Sequence, residues 1–300
     1  MKENILNKDE QLSNYGMGWT RDNPDHRDYT MKHEKVRGLM NKLKLGKSGT
    51  KKLKQSVDLR EWCSPIENQS SLGSCTASAG AGLIEYFERR AFETYVDASR
   101  LFLYKVTRNL LGQTGDTGAY LRTTMGALAV FGVPPEKYWH YDISKFDEEP
   151  SSFLYSFARS YQALVYYRLD PPDISASELL NKIKTNLSAG LPSMFGFTVY
   201  SSYSQTNSNG GKFPYPGPAD SVAGGHAVVA VGYDDNMKIK NTDSGGIETK
   251  GAFLIRNSWG TGWGDEGYGW IPYKYVTEKL AVDWWSLVKS EYIDSGKFGL

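Results

Sequence analysis

Asn68-Gln69-Ser70-Ser71-Leu72-Gly73-Ser74-Cys75-Thr76-Ala77-Ser78-Ala79 decides how this chain is to be read. A turn-rich stretch gives way at Cys75 to residues that place Ala77, Ala81, Ile84, Phe87 and Ala91 at helical spacing, so a helix is predicted over 75–92 with the cysteine at its first position. Unpaired backbone N–H groups and the positive end of the helix dipole favour thiolate there, the form that attacks carbonyl carbon. The competing reading is a buried cysteine serving as a small hydrophobe. Gly73 and Ser74 before it and Thr76, Ala77, Ser78 and Ala79 after it argue for an accessible helix end instead.

Working outward, further helices are predicted over 98–109, 121–131 and 176–189. Strands are predicted over 163–168, 193–199, 226–233, 253–257 and 268–272, parted by Gly-, Asn- and Asp-rich turns. A helical half followed by a strand-rich half implies an α+β protein of two packed lobes. The 300 residues suffice for a core without disulfides, and Cys63 and Cys75 are the only cysteines, which excludes a cystine-rich framework.

The net charge of +1 hides an uneven distribution. Residues 31–54 carry nine Lys and Arg side chains against Glu34 alone, while residues 55–300 sum to −5. That pattern predicts a solvated basic linker on a mildly acidic body, not a nucleic-acid binder, which spreads its basic face over the folded part. Met1 to Tyr15 is polar and lacks an apolar core. Neither signal peptide nor membrane anchor is expected, and the location follows as cytoplasmic or exported without a classical signal.

A thiolate needs a base and a group that orients that base. His226 follows Gly224-Gly225 and opens the apolar run 227–231, a strand-end position with its ring toward a gap. Asn257 closes a strand and begins Asn257-Ser258-Trp259-Gly260-Thr261-Gly262-Trp263-Gly264, where an amide can hold one imidazole nitrogen behind an aromatic wall. His26 and His33 lie outside the globular part, and His140 reads as a surface or packing residue.

Three blocks together resemble the papain family of cysteine peptidases: 68–75, 225–233 and 257–268, in the family's order. Val57-Asp58-Leu59-Arg60 is similar to the start of the family's mature domain. The resemblance implies a two-lobed fold, a helical lobe (about 66–160) against a β-barrel-like antiparallel lobe (about 161–300), with the active site in the cleft between them. It implies a thiol endopeptidase without cofactor or metal. Cys75 is then nucleophile, His226 base and later acid, Asn257 its orienter, and Gln69 the oxyanion donor together with the Cys75 backbone N–H. Gly73, Gly225, Trp259 and, through Gly115-Asp116-Thr117-Gly118, Gly118 are the implied substrate contacts. Leu72 and Thr76 stand where the family usually carries Cys and Trp, and Gly225 where plant members often carry an acid.

Gly18-Trp19-x-x-Asp22-x-Pro24-Asp25-x-Arg27-Asp28-Tyr29 is similar to the short leader of bacterial members. Residues 1–56 are therefore read as leader and linker before a catalytic domain over 57–300, with the leader expected across the cleft or its rim. The partner implied is a peptide or protein substrate, and the chain is expected to be a monomer. An acyltransferase or deamidase on the same residues, and a silent binding module, are the other readings. Exopeptidase action would require a cap, for which the stretch 236–250 is the candidate. Leu45-Gly46-Lys47-Ser48 lacks the earlier glycine and preceding strand of a phosphate loop. Asp283-Trp284-Trp285 in the tail reads as packing more than as a ligand platform, the other reading being that the tail lines the pocket for the residue preceding the scissile pair.

Overall fold

The computed structural model describes residues 15–45, 52–161 and 165–300. Its elements, in chain order, are α1 (Glu34–Lys42), β1 (Ser56–Asp58), α2 (Cys75–Phe92), α3 (Arg100–Leu110), α4 (Leu121–Val130), α5 (Ser152–Ala158), β2 (Val165–Arg168), α6 (Ala176–Ser188), β3 (Ser193–Tyr200), β4 (Val222–Lys240), β5 (Glu248–Arg256), β6 (Tyr268–Pro272), α7 (Tyr273–Thr277), β7 (Ala281–Val288) and α8 (Ser290–Asp294). The helices expected over 75–92, 98–109, 121–131 and 176–189 are present within two residues at each end. Ala163 and Leu164, expected to open β2, lie outside the described residues, as do residues 1–14 of the leader and the Gly46-Lys47-Ser48 stretch.

All strand pairs are antiparallel, in the order β2-β7-β3-β4-β5-β6, with β1 added to β4. The path is an open sheet ending at β2 and β6, which makes the architecture α+β with two lobes. β4 runs 19 residues, so the stretch 236–250 is not a separate insertion. It is the far arm of the β4–β5 hairpin, with Lys238, Ile239 and Lys240 facing Lys250, Thr249 and Glu248. At its tip Asn241 Oδ1 accepts from Gln205 Nε2 at 2.9 Å.

α2 lies between the lobes. Its sequence suggests one apolar face, yet every residue from Cys75 to Phe87 is buried, because small side chains let the sheet approach on one side and α3 and α4 on the other. The tail strand β7, absent from the sequence reading, fills the sheet between β2 and β3 and buries Trp284 and Trp285.

The basic stretch needs a correction. Where the charge pattern predicts solvated chain, Glu34–Lys42 forms a helix that buries Val36 and Met40, followed by buried Leu43. Its lysines point outward, and the i, i+4, i+7 spacing of three apolar residues was hidden by the charge around it. Further back, Arg168 N–H donates to Tyr29 O at 2.7 Å, so the N-terminal segment runs along the body well before β1.

Candidate active site

Cys75 is the first residue of α2, as the sequence predicts, but the helix end expected to be accessible is wholly buried, with Gly18 of the N-terminal segment lying against the sulphur. Ser74 at the cap position does not cap the helix; its Oγ instead meets Tyr141 Oη at 2.6 Å, and Tyr141 Oη donates to Gln69 O at 2.9 Å. Tyr141 thus ties the two loops that carry Gln69 and Cys75, a role that nothing in the local sequence signals. The backbone N–H groups of Gly18, Ala227 and Thr76 reach the Cys75 sulphur.

His226 is placed by β3–β4 pairing opposite Phe197. It lies inside β4, which starts at Val222, and not at a strand end as expected. Nε2 donates to Asn257 Oδ1 at 2.7 Å, and Nδ1 has no hydrogen-bond partner among the described residues. With the oxygen of Asn257 as acceptor, the neutral ring carries its proton on Nε2 and leaves Nδ1 free to accept one. Trp259 stacks on the imidazole, centroids 4.4 Å apart, and seals that hydrogen bond from water. Asn257 Oδ1 also accepts from Ser258 N–H at 2.8 Å, which fixes the amide.

Gln69 reaches the same cluster. Its Oε1 accepts from Ser258 Oγ at 2.5 Å, so Ser258, missed by the sequence reading, turns the Nε2 group toward the cleft. That Nε2 donates to Leu72 O at 2.8 Å and to Gly16 O at 3.0 Å. Cys75, His226, Asn257 and Gln69 therefore converge from four separate stretches of chain.

Residues 15–20 fill the cleft. Trp19 N–H donates to Gly225 O at 3.1 Å, Ala119 N–H to Gly18 O at 2.8 Å and Thr20 N–H to Ala119 O at 3.1 Å, a parallel bridge of Trp19 with Ala119. Of the expected substrate contacts, Gly225 offers its carbonyl and Gly73 forms the wall against Gly18. Pairing on the helical side falls to Ala119, one residue beyond Gly118; Gly118 supplies clearance, since a Cβ there would lie 2.1 Å from Gly18 O. Trp259 meets the segment by stacking on Tyr15 at 4.7 Å.

Burial under this segment and the surrounding body acts on both groups. Burial pushes the Cys75 thiol up to about 11, against the pull of surrounding N–H groups. Burial lowers His226 to about 4, with the Asn257 bond acting the other way. Under the segment the pair is neutral thiol and neutral imidazole. Opening the cleft to water removes the dominant cause of both shifts.

The model of the papain family of cysteine proteases matches residues 53–279. A peptidase C1-like protein of Acanthamoeba polyphaga mimivirus is 34 % identical over 279 residues, 89 % of this chain and 85 % of that one. The crystal structure of xylellain, a cysteine protease from Xylella fastidiosa, superposes with a TM-score of 0.71 at 32 % identity, covering 92 % of this chain and 97 % of that chain. Digestive procathepsin L 3 of Tenebrio molitor larval midgut shares the fold, with a TM-score of 0.62 at 18 % identity over 94 % of this chain and 80 % of that one.

Proposed function

The chain belongs to the papain family of cysteine proteases, and from that premise we propose that it hydrolyses internal peptide bonds through a Cys75–His226–Asn257 triad and an acyl-enzyme intermediate. The observation that carries the reading is the His226 ring: Nε2 is held by Asn257 while Nδ1 is left unpartnered, beside a buried sulphur that the next peptide N–H, of Ala227, already touches. Nδ1 takes the thiol proton. The thiolate adds to the substrate carbonyl carbon, and the oxyanion is met by the Gln69 side-chain amide and the Cys75 backbone N–H. The imidazolium then protonates the leaving amine, the thioester forms, and the neutral ring activates water to release the acid. In the closed chain Gly16 O occupies the Gln69 donor and Gly18 N–H, not a carbonyl carbon, faces the sulphur. On this reading residues 15–42 are an inhibitory leader.

The test is the full-length Trp19→Ala chain, which lacks the largest side chain that residues 15–20 seat in the cleft, with and without Cys75→Ala, each given a thiol-directed epoxide and a panel of fluorogenic peptides. Single labelling at Cys75 with peptide turnover, both lost with Cys75→Ala, is the expected outcome. Labelling without turnover would assign the site to another acyl acceptor, and the absence of both labelling and turnover would overturn the catalytic reading.

A further inference from the structure

Trp19 is the one large side chain that residues 15–20 drive deep into the body. Its indole rests on Gly196, where a Cβ would lie 1.9 Å from ring atom Cε2, and on Gly225, where a Cβ would lie 3.0 Å from Cε3. At the floor, Nε1 donates to Asp283 Oδ2 at 3.2 Å. Asp283 is fully buried. Its other oxygen, Oδ1, is taken by Trp285 Nε1 at 2.8 Å and by Arg168 Nη1 at 3.2 Å. A bulge aims it: Met194 pairs with Trp285 and Gly196 with Val282, so two residues of β7 face one of β3, and Asp283 takes φ +62°. Its N–H is pinned to Asp170 Oδ2 at 2.7 Å.

Resting on the peptidase reading above, we propose that the pocket filled by Trp19 is a substrate pocket selective for tryptophan, with Asp283 as the residue that determines the choice. An extended substrate entering this cleft meets the same backbone partners, the Gly225 carbonyl on one wall and the Ala119 N–H and C=O on the other. The residue lying between them projects its side chain where Trp19 now sits. Oδ2 is the oxygen left for that side chain. A phenylalanine or leucine there seals a carboxylate oxygen away from water with no donor, and buried acceptors left unpaired are the strongest basis for rejecting an analogue. An arginine brings a donor too, and Arg168, shared among Asp28, Asp170 and Asp283, is not what opposes it; its guanidinium must be stripped of water to enter a fully buried pocket shaped to a flat ring by Gly196 and Gly225. Indole brings one N–H and no charge.

The experiment uses the full chain and two readouts. In the first, Cys75 alkylation by iodoacetamide is timed for the parent, Trp19→Phe, Asp283→Ala and the double variant. Trp19→Phe is expected to label about tenfold faster, the equivalent of one hydrogen bond to a charged group. In the Asp283→Ala background the same change is expected to have no effect, a coupling that simple loss of packing does not produce. In the second, the full-length Trp19→Ala chain is given peptides in which each position in turn is Trp, Phe, Leu or Arg. At one position Trp is expected to exceed Phe and Leu in kcat/KM by about tenfold or more. Phe or Leu equal to Trp at every position, Arg above Trp at the discriminating position, or unchanged coupling in the Asp283→Ala background would each overturn the proposal while leaving the peptidase reading intact. Failure of all peptides together with absence of Cys75 labelling would overturn both.

Discussion

Residues 15–20 and residues 22–42 are neighbours in the chain, yet they are held to the body by different forces. The first stretch carries no charged side chain. It is fixed by backbone hydrogen bonds, the Tyr15–Trp259 stack and close contact of glycines, with a Cβ on Gly18 lying only 1.9 Å from Gly73 O. The second is fixed by charge: Arg122 pairs with Asp22 and Asp28, and Arg168 with Asp28 at 3.4 Å and with Asp170 at 3.0 Å. At its end α1 adds an apolar anchor through Val36 and Met40. On the proposed reading the difference separates two tasks: shape would keep substrate from Cys75, whereas charge and α1 would set how long the cover stays.

The largest effect that sharpens this contrast is expected from Gly18→Val. Its side chain cannot avoid the Gly73 carbonyl, and overpacking of this kind costs about 1–3 kcal/mol, so alkylation of Cys75 in the full chain should accelerate roughly 10- to 100-fold. No change would show that residues 15–20 are not the cover. Arg122→Ala attacks the other stretch and leaves two carboxylates without their shared partner. Solvent screens the Arg122–Asp22 pair, whose side chains are 25 % and 22 % exposed, and Asp28 keeps Arg168 at 3.4 Å, so a smaller acceleration of about fivefold is expected. Salt separates the two: raising ionic strength should speed alkylation of the parent but not of Arg122→Ala, and should leave the ratio between Gly18→Val and the parent nearly unchanged.

The charge state beneath the cover gives a spectroscopic version of the same comparison. With the thiol raised to about 11 and the imidazole lowered to about 4, the closed chain should show no thiolate absorbance in the ultraviolet at pH 7. Gly18→Val exposes both groups, and thiolate absorbance should then appear at pH 7 and vanish on acidification. Arg122→Ala, which loosens the cover without deforming it, should fall between them. Equal thiolate signals in all three chains would sever the link from burial to latency.

Much of this was legible in the sequence, and the rest was not for identifiable reasons. Cys75 at a helix start, His226 in its apolar run and Asn257 at a strand end were readable because each sits in a local pattern of period or punctuation. Tyr141, Ser258 and Ala119 were not, because their roles are set by long-range contacts: Tyr141 reaches back 72 residues to Gln69 and Ser258 reaches 189. Asp283 lay within a tryptophan-rich run that was read as packing, and it is packed. Its bulge, which depends on register against β3, is what makes it the floor of a pocket. The helix α1 was lost for the opposite reason, a strong local charge signal overriding a weak apolar period.

A region outside both stretches supplies the smallest effect and a control. Glu85 of α2 is buried where the lobes meet, accepting from Ser64 Oγ at 2.5 Å and Ala98 N–H at 2.9 Å, while Arg256 of β5 donates to that same Ser64 Oγ at 2.9 Å. Burial raises Glu85 to about 7, with Arg256, the Ala98 N–H and Ser64 pulling the other way. Its folded value lies above the usual carboxylate value of about 4.5, so its contribution to stability is fully present at acid pH and is lost as pH rises through 7. The native chain should therefore lose stability between pH 5 and pH 8 relative to Glu85→Gln, by an amount on the order of 2 kcal/mol, read from urea midpoints. Neither pH nor this substitution touches the Gly18 contact. The Gly18→Val acceleration of Cys75 alkylation should survive in the Glu85→Gln background, so a lost acceleration would mean that alkylation reports global opening of the two lobes and not release of residues 15–20. A relative gain in native stability with rising pH would reverse the sign and make the Glu85–Arg256 attraction dominant over burial.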